Sequence, residues 1–344
     1  MRNPIACLIT DTHAKDDNLK LVEDIYNQAI QYCVENSIEY MFFLGDFFTQ
    51  RDKQSLDCLL CLLRVLIRIK KNGITLVAIQ GNHDKTSLVS EKGYMSIYKH
   101  KIDYLFEKEG KIELGGYDMC FLPYFKEGEE YSKRLTELNA SSDNHKLLFT
   151  HIAVNGIKNN DGSSVTGGIN TDLFDGFDKV FVGHYHNAQS INNIHYIGSA
   201  YQGNFGEDTN KGFTILYDDI STKLIKTKYP KYKKTKIDVS NKKEIQQFIE
   251  MNQDSKDHVR LIITGSREDL SVADRTLLAN AEIDIKFEGE SQMSSLEEKE
   301  YVQKNIVMSN KDLLSNWIRY SKTQQIQKEL FNDGLKMIKE CGNL

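Results

Sequence analysis

Five short apolar runs, each read as a strand, constrain this chain more than any other feature. They cover residues 5–10, 40–44, 74–79, 146–150 and 179–182. Each ends in a fragment rich in chemistry: Asp11-Thr12-His13, Gly45-Asp46, Gly81-Asn82-His83-Asp84, His151, and Gly183-His184-Tyr185-His186. Between the early runs lie helix-like stretches, 18–36 and 53–71, long enough to join parallel neighbours. In an α/β sheet the carboxyl ends of parallel strands share one edge, and ligands sit there. Fragments far apart in the sequence therefore fall into one cluster.

Two divalent cations roughly 3.5–4 Å apart can clamp a phosphate ester, supply an activated water and stabilise a leaving oxygen. One carboxylate must bridge them, and Asp46 is the natural candidate. Asp11 and His13 alternate on extended chain, so only a bend at the strand end lets both reach one ion. Asn82 offers a neutral oxygen, and His151, His184 and His186 complete two shells. Imidazole, carboxylate and amide oxygen together suit manganese, iron or zinc better than calcium. His83 could hydrogen-bond a phosphate oxygen or protonate the leaving group, with Asp84 fixing its tautomer. Any one fragment is weak, since Gly-Asp is common and Gly-Asn-His-Asp can be an ordinary turn. Yet five of the nine histidines lie in these fragments, and every fragment closes a strand. The combination favours a metal site.

These residues resemble the calcineurin-like metallophosphoesterases and, within them, the SbcD/Mre11-type nuclease subunits, over residues 1 to about 215. The narrower nuclease pattern adds Phe48, Asp84, Tyr196-Ile197-Gly198-Ser199, Phe205-Gly206-Glu207 and Lys211-Gly212-Phe213. The resemblance implies an α/β fold of two packed mixed sheets flanked by helices, with a small α/β capping domain and a C-terminal helical element. It implies Asp11, His13, Asp46 and His186 on one metal, and Asp46, Asn82, His151 and His184 on the second. His83 would stabilise the transition state and Asp84 would orient it. The implied activity is a manganese-preferring DNA exonuclease or endonuclease, acting as a homodimer with a Rad50/SbcC-type ATPase in double-strand break processing. One departure is plain: cellular members carry histidine three residues after the bridging aspartate, and this chain has Thr49. A small-substrate phosphodiesterase of the same fold and a non-catalytic clamp are the rival readings. A protein phosphatase fits less well, because Phe47-Phe48-Thr49 follows Asp46.

A hydrophobic content of 40% and a charged content of 27% describe a globular chain. No apolar stretch approaches 18 residues and no basic-then-apolar leader precedes the first strand, so a cytoplasmic location without a membrane span is expected. Cys58 and Cys61 have redox spacing, but they sit inside a helical run with no second pair, so they read as core. The net charge of −5 sits awkwardly with a nucleic-acid substrate. The Lys223–Lys236 run softens the objection: Lys226, Lys228, Lys231, Lys233 and Lys234, interleaved with Tyr229 and Tyr232, could follow a phosphate backbone or form a solvated connector.

Late hairpins are expected at Gly115-Gly116 and Asn192-Asn193. The Gly-, Ser- and Asn-rich segment 155–170 reads as a mobile loop. The domain division is 1–229 for the nuclease domain, 230–288 for the cap and 289–344 for a linker and docking helices. Within the cap, 242–251 and 269–281 read as helices, and 259–264 and 282–287 as strands. Beyond a polar linker, Leu313, Leu314, Trp317, Ile318, Leu330, Phe331, Leu335 and Ile338 recur at helical spacing, as in a helix that docks a partner. The chain has no P-loop, so any ATP dependence would come from that partner.

Overall fold

The strand-like runs are apolar on both faces because each is covered on both. In the computed structural model, which describes residues 2–140, 144–159, 162–266, 269–270 and 283–289, they form the centres of two six-stranded sheets. The first contains β1 (Pro4–Ile9), β2 (Tyr40–Leu44), β3 (Thr75–Ile79), β4 (Tyr104–Phe106), β11 (Gly212–Tyr217) and β12 (Thr222–Lys226), in the order β12-β11-β1-β2-β3-β4. Its β1 to β4 are parallel, while β11 at one side runs antiparallel to both its neighbours, β1 and β12. The second contains β5 (Gly110–Leu114), β6 (Tyr117–Leu122), β7 (Lys146–His151), β8 (Lys179–Gly183), β9 (Gln189–Ile191) and β10 (Ile194–Tyr196), in the order β5-β6-β7-β8-β10-β9. Both sheets are mixed, as expected. The two late hairpins are β5–β6 and β9–β10.

Alternation along each strand sorts side chains between layers. Phe42 and Leu44 face the second sheet, where Phe121, Phe149 and Phe181 meet them in one apolar cluster. Phe42 lies edge-on to Phe121 and Phe149, at 5.2 and 4.9 Å. The intervening Met41 and Phe43 turn outward to α1 (Leu19–Glu35) and α2 (Leu56–Lys71). Helix α2 starts where Ser55 accepts a hydrogen bond from Cys58 N at 3.1 Å. Its last turn carries Arg68, Lys70 and Lys71 beside the negative end of the helix dipole. Cys58 and Cys61 are buried in this layer as core. On the far side, α3 (Glu129–Ala140) covers the second sheet through Tyr131, Leu135 and Leu138.

The described residues of the segment after His151 are tied to the fold. Asn155 N donates to Ile169 O at 3.0 Å, and Val165 N to Ile157 O at 2.7 Å. Ile157, Val165 and Ile169 are buried in the α3-side cluster, so three apolar side chains among the glycines and serines tie it down.

The chain divides into two compact units, Met1–Lys234 with Asn252–Arg260, and Thr235–Met251 with Leu261–Leu344. A three-stranded sheet has the order β13 (Tyr232–Asp238), β14 (His258–Gly265), β15 (Asp284–Gly289). In the second unit Ile237, Val239, Leu261 and Ile263 pack with Ile245 and Ile249 of α4 (Lys242–Asn252). The ends of the lysine run belong to β12 and β13, and residues 227–231 connect the two strands. Only Ile237 of β13 is fully buried, so the strand lacks the alternating apolar signal. The helix read at 269–281 falls almost wholly outside the described residues. The docking stripe of Leu313, Leu314, Trp317, Ile318, Leu330, Phe331, Leu335 and Ile338 lies outside them altogether. Among the described residues, no helix is long and apolar enough to cross a membrane.

Candidate metal centre

All five fragments meet where β1, β2, β3, β7 and β8 end. The chain leaves the strands through sharp bends: Asp11 and His13 have φ of 52° and 42°, Asp46 58° and His184 86°. Four of the seven non-glycine residues with positive φ among the described residues are therefore in this cluster, which marks it as a place where strain is held for function. Two glycines let the strand ends close on one another. Gly45 has a φ of 95°, and a Cβ there would lie 2.6 Å from Gly81 N and 2.7 Å from His151 Nδ1. A Cβ on Gly81 would collide with Asp46 Oδ1 and stand 2.6 Å from Asp46 N.

Two donor groups result. Asp11, His13 and His186 form one, and Asp46, His151 and His184 the other, with potential ligand atoms within 4.8 Å of each other in each. Asp46 stands between them: its Oδ2 is 3.3 Å from His151 Nε2 and 3.7 Å from His13 Nε2. Asn82 Oδ1 adjoins the second group, 3.1 Å from His151 Nε2 and 3.0 Å from His184 Nδ1. The seven expected ligands are thus brought together, and the bend expected between Asp11 and His13 is present.

Tautomers show what the site is suited to hold. His13 Nδ1 faces Phe48 O at 3.2 Å, His151 Nδ1 faces Leu44 O at 2.7 Å, and His186 Nδ1 faces Glu207 Oε1 at 2.8 Å. Each of these oxygens only accepts, so each Nδ1 carries a proton and each Nε2 is left to hold a second proton or a metal ion. Yet His13 Nε2 and His186 Nε2 lie 3.0 Å apart, and His151 Nε2 points at two oxygens. Nitrogens and oxygens packed this closely need a cation between them, a proton or a metal ion. A pair of divalent cations fits this donor set.

Electrostatics give the same picture. Burial lowers the proton affinity of His151, but the Asp46 carboxylate outweighs it and raises the imidazole to about 9. Burial would raise Asp11 too, yet hydrogen bonding to His13 and the charges of nearby histidines hold it down at about 2. Asp46 is likewise held well below the usual carboxylate range, against burial, by His151 and its neighbours. His184 is pushed down to about 4 by burial and by His151. The ring nitrogens of these buried carboxylate–imidazole pairs are places where a proton and a metal ion compete.

His83 and Asp84 part company. His83 lies half-buried at the cavity wall, its N donating to Asp46 Oδ1 at 2.8 Å and its Nδ1 facing Thr49 O. Asp84 is fully buried and accepts from four backbone amides: Asp46 N (2.8 Å), Phe47 N (2.9 Å), Phe48 N (3.2 Å) and Gly81 N (2.9 Å). Burial and the charge of Asp46 push this carboxyl up to about 7, while the amides of Gly81 and Phe48 pull it back. The expected Asp84–His83 pairing is therefore corrected. Successive side chains in this turn point to opposite sides, so Thr49 O orients His83 while Asp84 clamps the β2 and β3 ends together. Thr49 Oγ1 also donates to His13 O at 2.7 Å, holding that bend.

Glu207 is the site residue that reasoning from the sequence left without a role. It is 6% exposed, holds His186 through Oε1, and pairs through Oε2 with buried Lys211 at 3.3 Å. A carboxylate behind a metal-facing histidine fixes its tautomer and raises its basicity. The Phe205-Gly206-Glu207 and Lys211-Gly212 runs were its only trace.

A cavity of about 830 Å³ opens over Asp11, His13, Asp46, His83, His184 and His186. Its lining includes Lys15 and Lys20 but none of Lys226, Lys228, Lys231, Lys233 and Lys234. Those five are exposed on and beside β12 and β13, and Lys233 pairs with Asp257 at 2.6 Å.

Comparison with known proteins adds four findings. The family model described as calcineurin-like phosphoesterase matches residues 6–188. Over 230 residues the chain is 28% identical to the SbcD subunit of the SbcCD nuclease of Staphylococcus epidermidis, covering 57% of this chain and 61% of that protein. Over 197 residues it is 24% identical to "Exonuclease subunit 1" of Enterobacteria phage T4, covering 56% and 57%. The chain thus spans less than two thirds of the length of these relatives. A solved dimetal phosphatase from Danio rerio shares 11% identity at a TM-score of 0.40, covering 62% of this chain and 93% of that one. Because the family match takes in more than half of the sequence and spans every motif that meets at the strand ends, this chain belongs to the calcineurin-like phosphoesterases.

Proposed function

We propose that the protein is a metal-dependent deoxyribonuclease that hydrolyses phosphodiester bonds. The observation that carries this is the pair of donor groups sharing Asp46, with imidazole nitrogens converging on carboxylate and amide oxygens. Asp11, His13, Asp46 and His186 would hold one cation, and Asp46, Asn82, His151 and His184 the other. Manganese suits this mixture of nitrogen and oxygen donors. When bound, such a pair supplies Lewis acidity toward phosphate oxygens and a nucleophilic water at neutral pH.

The chain's own groups do the rest. His83, neutral because burial lowers its proton affinity, keeps Nδ1–H on Thr49 O and turns Nε2 toward the cavity. Once Nε2 has taken a proton from water in the cavity, the imidazolium would donate a hydrogen bond to the phosphate and pass that proton to the leaving oxygen. Glu207 holds His186 in the required tautomer, and Asp84 fixes the turn that carries Asp46. Thr49 occupies the place of a histidine to which the resemblance assigns exonuclease action on duplex ends, which leaves the balance of exonuclease and endonuclease action open to measurement.

The names of the two relatives support a nuclease subunit; we extend this to work on DNA beside a Rad50/SbcC-type ATPase, as a homodimer, in recombination. We extend the three-part organisation of 1–229, 230–288 and 289–344 to this role, with the last part docking the partner. The exposed lysines Lys226, Lys228, Lys231, Lys233 and Lys234 would lie along the DNA backbone outside the cavity, in a cytoplasmic setting.

Labelled duplex, single-stranded DNA and a small diester, each incubated with and without manganese, test the proposal. Manganese-dependent cleavage of DNA that is lost in Asp46→Ala and His184→Ala is expected. Hydrolysis of the small diester with both DNA substrates untouched would instead mark a small-substrate phosphodiesterase. Inertness toward all three would mark a clamp.

A further inference from the structure

The cavity over the metal centre continues past the histidines along residues 199–204 to Pro230, Tyr232 and His258, all within the first compact unit. Here the lining is aromatic. The rings of Tyr232 and His258 are stacked, with centroids 4.3 Å apart and planes 21° from parallel. Phe205 meets Tyr232 edge-on at 4.9 Å and 86°, and the Arg260 guanidinium lies 4.0 Å from the Phe205 centroid. A group of this kind would ordinarily be core. Yet none of Phe205, Tyr232 and His258 belongs to an apolar cluster of the described residues, His258 is exposed, and the other two are only half-buried. Among the described residues Tyr232 Oη and the His258 ring nitrogens make no hydrogen bond, so these polar edges remain for a ligand.

The cluster is mechanically linked to the metal centre. Phe205 sits two residues from Glu207, which holds His186. Gly203 N and Asn204 Nδ2 each donate to Glu207 at 3.0 Å. Gln202 Oε1 accepts from Tyr232 N at 3.1 Å, while its Nε2 donates to Glu207 O at 3.0 Å. One loop therefore sets the spacing between a metal-facing histidine and an aromatic wall in the same cavity.

We propose that Tyr232 and His258, backed by Phe205 from outside the cavity lining, form a nucleobase-stacking subsite, which takes an unpaired base of the strand whose phosphodiester lies at the metal centre. The proposal rests on the nuclease reading and narrows its substrate to a single-stranded or frayed DNA end. A ring face accepts any base, so the subsite is sequence-tolerant. A base paired and stacked in duplex cannot also lie on protein rings, so paired DNA has to open locally before it fits.

The test compares an ordinary single-stranded oligonucleotide with one carrying a single abasic residue, moved position by position along the strand. Binding to the manganese-loaded full chain is read by fluorescence anisotropy on strands with cleavage-resistant phosphorothioate linkages. At one position, base removal should weaken binding about ten-fold, the size expected for one stacked base. A 2-aminopurine at that position should be quenched on binding by the wild type. Quenching should persist in Tyr232→Phe and be lost in Tyr232→Ala, with His258→Ala as a second variant should Tyr232→Ala fail to fold. Equal affinity for abasic and ordinary strands at every position would overturn the proposal, as would unchanged quenching in both alanine variants. The nuclease reading fails separately, by absence of manganese-dependent DNA cleavage in the wild type.

Discussion

Replacing Asp84 by asparagine changes one atom and leaves the shape intact, so its effect can be worked out from the hydrogen bonds. Oδ1 accepts from Phe47 N and Phe48 N, and Oδ2 accepts from Asp46 N and Gly81 N. Whichever oxygen becomes the amide nitrogen, two buried N–H donors face a donor. Each unpaired donor costs about 1–3 kcal/mol, so the substitution should cost about 2–6 kcal/mol. That is a large share of the roughly 5–15 kcal/mol of stability of a folded domain. The loss falls on the turn that carries Asp46 and on the Gly81 junction, so manganese affinity should fall with it. Urea denaturation of wild type and Asp84→Asn, with a manganese titration of each, measures both effects. If Asp84 acted only through His83, stability would stay within about 0.5 kcal/mol, as for a change away from any structural feature, and only turnover would drop. An unchanged denaturation midpoint with a normal manganese affinity would remove Asp84 from its role as a clamp.

Three further outcomes are expected. Glu207→Gln removes the charge behind His186 and should weaken manganese binding about 10–100-fold, read by calorimetry, with Asp46 and His151 intact. Gly81→Ala places a methyl against Asp46, and the protein should fold yet lose most of its metal affinity; full retention would show that the strand ends do not need this approach. Glu23 joins α1 to α2 through Arg64 and Arg68, each at 2.7 Å. Burial would raise its carboxyl, but these hydrogen bonds hold it below its usual value. A depressed carboxylate stabilises above its unfolded pKa of about 4.3 and stops doing so as pH falls through the folded value. Because both arginines are more than a third exposed, Glu23→Gln should cost only about 0.5–1 kcal/mol at pH 7, and the gap should close as pH falls below about 4. A gap that widens in acid would contradict the sign.

The sequence disclosed most where one physical cause acted along a continuous stretch. Strands such as Phe42-Phe43-Leu44 were legible because both faces are covered, and α2 because Ser55 caps a run with helical spacing. The Asn192 turn was legible because its φ of 52° suits asparagine. The metal cluster was legible because its residues close strands, which topology alone brings together. What stayed hidden depends on side-chain direction or on pairing across space. Asp84 follows His83 in sequence yet turns away from it, and no spacing rule reports that. Glu207 lies in a loop without period, 21 residues from its histidine partner. β13 carries lysines on exposed positions and buries only Ile237, so its pairing with β14 left no apolar trace.

Anomalous diffraction from a crystal soaked in manganese bears most directly on the site. Two peaks per chain are expected, one among Asp11, His13 and His186 and one among Asp46, His151 and His184, with Asp46 reaching both. A single peak, or manganese bound elsewhere with these side chains apart, would contradict a shared two-cation centre.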